Sequence, residues 1–185
     1  MHWRSLAEVR NRDIPIINIG MDDRHAFVGW KLYDGTLGGT KSLIPYLSLA
    51  CTAAPECVEW YEAEGAKAIF LPEGSDPLIF SSAKGEKQHD VCFVGANYGI
   101  RATMVKMLER AGVAVHAYGS GWPNGRIAIG EMADLFARSK IVLGCGTIGY
   151  CNDFFALKMR DFDAPMSGSM YVTHANPDLA PLYAD

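Results

Sequence analysis

The sequence predicts an α/β protein with parallel sheets, and three observations lead to that prediction. Short apolar runs of strand type alternate with segments whose apolar residues recur at helical spacing. Three of the runs are followed by glycine-rich loops, GANYG, GSGWPNG and GCGTIG. Hydrophobic residues make up 49% of the 185 residues and charged residues 21%, as in globular chains that bury a core. Together these observations favour a Rossmann-type, doubly wound parallel sheet preceded by the end of a second α/β domain.

The first half of the chain contains three strand-like runs and one helix. IPIINIG (14–20) predicts a buried strand, and it is followed by the acidic MDDRH and the glycine-rich DGTLGGT. SLIPYLSLAC contains a second apolar run. PECVEWYEAEG predicts a short helix that ends at Gly65, and AKAIFLPEG predicts a strand that Pro72 stops. This order is typical of the end of an α/β domain.

The second half shows a more regular alternation of strands and helices. Four segments predict strands: DVCFVG (90–95), VAVHAYG (113–119), IVLGCG (141–146) and GSMYVTH (168–174).

Two segments predict the helices between these strands. IRATMVKMLERAG (100–112) places four apolar residues on one helical face and ends at Gly112: Ile100, Met104, Leu108 and Ala111. GEMADLFARSK (130–140) carries a stripe formed by Met132, Leu135 and Phe136. Strands that alternate with helices in this way form a parallel sheet.

A polar segment, SSAKGEKQHD (81–90), separates the two halves. It is poor in apolar residues and is flanked by apolar runs, as linkers are. We therefore expect the end of one α/β domain at residues 1–83, a linker at 84–89 and a second domain at 90–185.

Composition excludes several classes of protein. A net charge of −4 and a pI near 5.7 argue against a nucleic-acid partner, which would favour a basic face. The sequence has no apolar stretch near ~20 residues and no signal-peptide pattern at its start, so we expect no transmembrane segment and a cytoplasmic location. The five cysteines form no Cys-x-x-Cys pair, which favours reduced thiols over a metal or disulfide framework.

The glycine-rich loops indicate where a ligand would bind. Open parallel sheets bind ligands at the carboxyl ends of their strands, and all three loops follow strands at that edge. GSGWPNG is not Gly-x-Gly-x-x-Gly and follows the second strand, whereas a dinucleotide fingerprint follows the first strand. The sequence therefore predicts a ligand cleft and argues against an NAD enzyme.

The segment LKMRDFDAPMSGSMYVTH (157–174) allows three interpretations. Asp161-Phe162-Asp163 matches an Asp-x-Asp metal motif, since hard cations favour carboxylates. However, Lys158 and Arg160 lie close enough to compete for these carboxylates, and the motif precedes a strand instead of ending one.

The second interpretation is a nucleotide-binding loop. In it, Lys158 and Arg160 neutralise a diphosphate, a carboxylate accepts hydrogen bonds from a ribose, and Ser167-Gly168 allows close backbone approach. The third is an amphipathic helix with its charges in solvent and Leu157 and Phe162 in the core.

Residues 90–183 resemble the C-terminal half of the spore-maturation-protein-like glycosyltransferases, a family with the two-domain GT-B fold. The matching features are DVCFVG, YGSGW, EMADLFARSKIVLG and LKMRDFDAPMSGSMYVTHANPDLAPLY. The last is similar to the family's Lys-x-Arg-x-Phe-Glu…Ser-Gly…Leu-Thr segment. IINIGMDDRHAF and EWYEAEGAKAIFLPEGSDPLIF are similar to the end of that family's N-terminal domain.

The resemblance implies transfer of a hexosyl-type sugar from a nucleotide-diphosphate donor to an acceptor hydroxyl. It implies no metal ion and no cofactor; the nucleotide-sugar is the substrate, and the acceptor is a glycan, a lipid or a protein. The implied donor-binding residues are Gly95, Asn97, Gly119, Gly121, Lys158, Arg160, Asp163, Ser167 and Gly168.

The sequence departs from the family pattern at two places. Asp163 stands where the family has a glutamate that faces the donor ribose, and Phe155 stands where a two-glutamate motif would need a carboxylate. GT-B enzymes usually exceed 300 residues, so we expect a partial chain, which could pair as a homo-oligomer.

The catalytic base is not identified by the sequence. His25, after Asp22-Asp23, and His174, at the end of the last strand, are the candidates, and His25 is the one retained. The alternative function is a non-catalytic nucleotide- or sugar-binding module.

Overall fold

The computed structural model describes residues 3–33, 35, 38–82, 86–148 and 151–183. The chain divides into two compact units, Met1–Pro72 and Glu73–Asp185. This division precedes the linker expected at 84–89, of which residues 84 and 85 lie outside the described residues. The difference has a physical reason. Phe80 is only 3% exposed and packs in the core of the second unit.

The first unit contains a three-stranded parallel sheet with the order β1–β2–β3. Its elements are α1 (Trp3–Arg10), β1 (Ile17–Gly20), α2 (Asp23–Ala26), a 3-10 helix (Thr40–Tyr46), β2 (Leu49–Thr52), α3 (Pro55–Ala63) and β3 (Ala68–Phe70). Phe27, Ala50 and Tyr61 form its buried core, and the Phe27 and Tyr61 rings meet edge to face at 5.1 Å. The predicted helix is present, and Gly65 follows it with a φ of 84°.

The second unit contains a four-stranded parallel sheet with the order β5–β4–β6–β9. Its elements are β4 (His89–Val94), α4 (Arg101–Arg110), β5 (Val115–Tyr118), α5 (Ile129–Arg138), β6 (Ser139–Leu143), β7 (Thr147–Ile148), β8 (Cys151–Phe155), α6 (Arg160–Met166), β9 (Met170–Val172) and a 3-10 helix (Ala180–Leu182). Each of the four predicted strands is present, and all pairings in the sheet are parallel. The α/β fold class is confirmed, and the sheet is consistent with a Rossmann-like GT-B domain.

Apolar clusters cover both faces of this sheet. Val91 and Phe93 of β4 pack with α4 on one face, whereas Cys92 packs with α5 and α6 on the other. This alternation follows from the period of two along a strand that is buried on both sides. The predicted stripe on α5 is confirmed, since Leu135 and Phe136 are buried in the cluster that contains Cys92.

The predicted face of α4 is half right, because Met104 and Leu108 pack against the core but its two end residues do not. Ile100 is 41% exposed and Ala111 is exposed, while Arg101 and Val105 are buried. The prediction considered only apolar residues and so did not include the arginine. In the structure its side chain turns inward to the strand ends.

GCGTIG, predicted to be a loop, contains part of a short antiparallel pair. β7 pairs with β8, with Thr147 opposite Phe155 and Ile148 opposite Cys151. The pair precedes α6 and returns the chain to the edge of the sheet at which β6 ends. Residues 149 and 150 lie outside the described residues.

Candidate functional site

The strand order reverses at the carboxyl ends of β4 and β6. From β4 the chain first adds β5 on one side and then crosses to add β6 on the other. Ligands of open α/β sheets bind where the order reverses in this way, because the loops after the two strands diverge there. The loops that follow these strands start at Gly95 and Gly144. We call this edge the switch point.

Two of the predicted glycine-rich loops are bound to each other beside the switch point. The Gly95 N–H donates to the Tyr118 carbonyl at 2.8 Å, and the Asn97 N–H donates to the Ser120 carbonyl at 2.8 Å. The Asn97 side chain also donates to the Gly121 carbonyl at 3.1 Å. The structure therefore brings Gly95, Asn97, Gly119 and Gly121 together, as the sequence predicted.

The close approach of these loops requires glycine at position 119. Gly119 has a φ of 130°, which side-chain-bearing residues rarely adopt, and a Cβ there would overlap the Gly95 carbonyl oxygen. A Cβ at Gly95 would lie only 2.8 Å from Nη1 of Arg160. The glycines thus allow backbone and guanidinium groups to meet at the switch point.

Arg160, at the start of α6, reaches across the switch point. Its Nη1 donates to the Val94 carbonyl at 2.6 Å, and its Nη2 donates to the Cys145 carbonyl at 3.2 Å. Its guanidinium carbon lies 5.1 Å from the centre of the Phe93 ring. The side chain therefore joins the ends of β4 and β6 and holds its charge at the switch point.

Arg101 is a second cation at the same place, and the sequence analysis did not include it. It is 4% exposed, its Nη1 donates to the Ala96 carbonyl at 3.0 Å, and its Nη2 donates to the Cys145 carbonyl at 3.4 Å. Its guanidinium carbon lies 4.0 Å from the Tyr98 ring centre. A signal was available, since Arg101 follows a glycine-rich loop at the first turn of a helix.

The two guanidinium groups donate hydrogen bonds to neutral backbone carbonyls. Both donate to the Cys145 carbonyl, and neither forms an ion pair with a carboxylate of the described residues. The Nε atoms of Arg101 and Arg160 are buried without a hydrogen-bond partner. Burial, together with the charge of Arg101, lowers the pKa of Arg160. Asp161 offsets part of the Arg160 charge, but two buried guanidinium groups beside each other still favour a bound anion.

Helix α4 adds to the positive potential. It begins at Arg101, immediately after the loop that follows β4, and no side chain caps its N-terminus. The first N–H groups of a helix have no acceptor within the helix and carry a partial positive charge. Because α4 follows β4 directly, this end of the helix lies at the carboxyl edge of the sheet.

The two aspartates of the 157–174 segment are buried instead of solvated, each with 2% exposure. Asp161 accepts hydrogen bonds from the Lys158 N–H at 2.7 Å and from the Tyr171 hydroxyl. The Oδ1 atom of Asp163 is buried without a partner, and burial raises the pKa of that carboxyl. The amphipathic-helix interpretation is therefore half right: Leu157 is fully buried, but the carboxylates are not in solvent. In this conformation Asp163 is not accessible to a donor ribose.

Ser167 and Gly168 are separated from the other predicted residues. They follow the C-terminal end of α6, where the Ser167 hydroxyl donates to the Asp163 carbonyl at 2.8 Å. The Gly168 carbonyl accepts a hydrogen bond from Lys87, which lies before β4. They therefore lie at the amino-end edge of the sheet, and a ligand at the switch point would not touch them. Gly168, with a φ of 70°, ends the helix.

The two candidate histidines differ in environment. His25 lies in α2 of the first unit and is exposed. His174 follows β9, is partly buried, and stacks on Phe155 with a centroid distance of 4.0 Å. Its Nε2 is buried without a partner, and burial lowers its pKa.

Searches for other kinds of site are negative within the described ranges. No group of three or more His, Cys, Asp or Glu residues is arranged to hold a metal ion. Cys51, Cys57, Cys92 and Cys145 are buried free thiols. Among the helices that the structure describes, none has the length and apolar character needed to cross a membrane.

A comparison with known families bears on this site. Residues 101–185 match a family model described as glycosyl transferase-like. The match begins at Arg101 and includes Arg160, so both arginines of the switch point lie within it. It supports a glycosyl transfer function, which implies a sugar donor and an acceptor. No curated protein sequence matches this chain.

Proposed function

We propose that the second unit is the donor-binding domain of a glycosyltransferase. It would transfer a sugar from a nucleoside diphosphate donor to an acceptor hydroxyl, without a metal ion. The observation that carries this proposal is the pair of guanidinium groups at the switch point, Arg101 and Arg160, which lack a carboxylate partner among the described residues. A diphosphate supplies negative charge and accepts hydrogen bonds from several donors at once.

The donors are arranged for a phosphate group. Each guanidinium has five N–H groups and uses two of its nitrogens on carbonyls, which leaves donors on both side chains. The uncapped N-terminus of α4 supplies backbone N–H groups at the same edge. Lys158 lies two residues before Arg160, in the turn that leads into α6.

The proposed chemistry is attack of the acceptor hydroxyl on the anomeric carbon of the donor. The bond from that carbon to the diphosphate breaks, and the diphosphate leaves with an additional negative charge. Fixed cations lower the barrier most when they lie where this charge develops, and Arg160 and Arg101 are held by backbone carbonyls before any ligand arrives. A base must take the hydroxyl proton, and His25 is the candidate that the sequence offers for it.

A thermal-shift panel tests the proposal. UDP, GDP, CDP, ADP and dTDP are each added with and without Mg²⁺. A ligand at ~100 times its Kd stabilises a protein by about 2.7 kcal/mol, or roughly 5–10 °C at this size. We expect one diphosphate to produce such a shift without Mg²⁺. A shift that requires Mg²⁺ would contradict metal independence, and no shift with any nucleotide would contradict the donor site.

Turnover then distinguishes an enzyme from a binding module. Release of the nucleoside diphosphate from the matching nucleotide-sugar is followed with an acceptor panel of glycans, lipids and peptides. Release that depends on the acceptor supports transfer. Binding without any release would favour the alternative, a non-catalytic nucleotide- or sugar-binding module.

A further inference from the structure

Asp161 connects three parts of the second unit through one side chain and its backbone. Its Oδ2 accepts the Lys158 N–H, and its Oδ1 accepts the hydroxyl of Tyr171 in β9. Its backbone carbonyl accepts the Tyr183 hydroxyl. The residue is 2% exposed, so these contacts are shielded from water. The first turn of α6 is thereby fixed to β9 and to the turn that precedes the helix.

Arg160 is the neighbour of Asp161 on this turn. The guanidinium group ends on the Val94 and Cys145 carbonyls, while the backbone of the turn is held by the contacts of Asp161. A long side chain keeps one position only if both its tip and its base are fixed, because each free torsion adds rotamers. Asp161 supplies the fixed base.

We propose that Asp161 is a positioning residue for Arg160: the hydrogen bonds of its buried carboxylate to Lys158 and Tyr171 hold the first turn of α6 so that the guanidinium group stays at the switch point. This inference rests on the proposed donor site. It assigns Asp161 a role other than that of a metal ligand, since both carboxylate oxygens already accept hydrogen bonds.

A role of Asp161 through its charge and a role in positioning Arg160 predict opposite effects of Asp161→Asn on the affinity for an anion. Asparagine can still accept from the Lys158 N–H and donate to the Tyr171 oxygen, but it lacks the negative charge. If Asp161 acted only through its charge, its removal would tighten binding of an anion to Arg160. If Asp161 positions Arg160, the weaker neutral hydrogen bonds loosen the turn, and binding weakens.

The experiment is a double-mutant cycle with inorganic pyrophosphate, and with the diphosphate selected by the thermal-shift panel, as probes. Kd is measured for wild type, Asp161→Asn, Arg160→Ala and the double variant. We expect Asp161→Asn to weaken binding 3- to 10-fold when Arg160 is present. In the Arg160→Ala background it should weaken binding by less than 2-fold. The matched control is Asp134→Asn, which removes an exposed aspartate paired with Arg138 on α5. It should leave Kd unchanged.

Tighter binding in Asp161→Asn, or an equal loss with and without Arg160, would overturn the inference. Tyr171→Phe removes one contact without a change of charge and keeps the test available if Asp161→Asn does not fold. It should weaken binding 2- to 5-fold, and an unchanged Kd would count against the inference.

A measurement without ligand separates this inference from the proposed function. The Nε–H resonance of Arg160 is followed by NMR and assigned by its loss in Arg160→Ala. We expect one sharp signal in wild type and a broadened or shifted signal in Asp161→Asn. If that change occurs while wild type binds neither probe, the positioning role stands and the donor site fails. If wild type binds the probes but the signal is unchanged in Asp161→Asn, the positioning role fails.

Discussion

Cationic side chains donate hydrogen bonds to backbone carbonyls at both the amino-end edge and the carboxyl-end edge of the four-stranded sheet. The two edges differ in whether all the donors of the cation are used. At the amino-end edge, Lys87 donates to the Ala137 carbonyl at 2.8 Å, the Gly168 carbonyl at 3.0 Å and the Ser169 hydroxyl at 3.1 Å. An ammonium group has three N–H donors, so all of them are used. At the carboxyl-end edge, Arg101 and Arg160 retain buried Nε atoms without a partner. The comparison separates a cation whose donors are all used within the fold from cations whose donors are only partly used.

The amino-end site should have the largest effect on stability. Lys87→Met removes three hydrogen bonds that join the segment before β4 to the ends of α5 and α6. We expect the free energy of unfolding to fall by about 2–4 kcal/mol, measured by urea denaturation. The Kd of the folded variant for a nucleoside diphosphate should not change. A changed Kd with unchanged stability would contradict the assignment of Lys87 to stability and of the carboxyl-end edge to binding.

The carboxyl-end site should have the largest effect on binding. Arg160→Ala removes the guanidinium group from the switch point, and we expect it to weaken nucleoside diphosphate binding by ~1.5–3 kcal/mol, the scale of charged hydrogen bonds. Isothermal titration calorimetry measures this loss. Arg138→Ala is the matched control, since that arginine lies on α5 in an exposed pair with Asp134. Equal affinity in folded Arg160→Ala and wild type would remove Arg160 from the site.

Arg101 should have a smaller effect on binding than Arg160. It is 4% exposed and stacks against the Tyr98 ring, so part of its action on an anion is through charge and not through contact. For Arg101→Met we expect a loss of about 1–2 kcal/mol in diphosphate affinity, measured by the same titration. Salt screens buried charges less than exposed ones. High salt should therefore reduce this loss of affinity less than it would reduce the loss at an exposed arginine. A tighter complex would show that Arg101 does not act on the anion.

The sequence predicted the strands of the second unit better than its site. β4, β5, β6 and β9 were predictable because each is a compact apolar run next to a glycine or helix signal. The grouping of Gly95, Asn97, Gly119 and Gly121 was also predictable, because parallel strands place the loops after them at one edge.

The remainder of the site depends on where charged side chains turn, and hydrophobic periodicity does not report that. Arg101 reads as a solvated helix position, yet it is buried on carbonyls that only the folded sheet brings together. Ser167 and Gly168 are near Arg160 in sequence but lie beyond the other end of α6. A helix of seven residues is about 10 Å long, enough to place its two ends at opposite edges of a sheet.

The smallest predicted effect concerns Asp163 and the pH dependence of the free energy of unfolding. Burial raises the pKa of its carboxyl, so the folded state binds the proton more tightly than the unfolded state does. Its ionisation therefore reduces stability as pH rises through the unfolded and then the folded pKa. Asp163→Asn should raise the free energy of unfolding by about 1 kcal/mol at pH 7, because the unpartnered Oδ1 no longer carries charge. The gain should disappear below the unfolded pKa in urea titrations, and a gain that persists there would show that ionisation is not its cause.

The most direct test of the central claim is a calorimetric titration of the panel-selected nucleoside diphosphate, without Mg²⁺, into wild type, Lys87→Met and the double variant Arg101→Met/Arg160→Ala. We expect the same Kd for wild type and Lys87→Met, and an affinity at least ~10-fold lower in the double variant, on the scale of charged hydrogen bonds. Equal binding by all three proteins would contradict a donor site at the switch point.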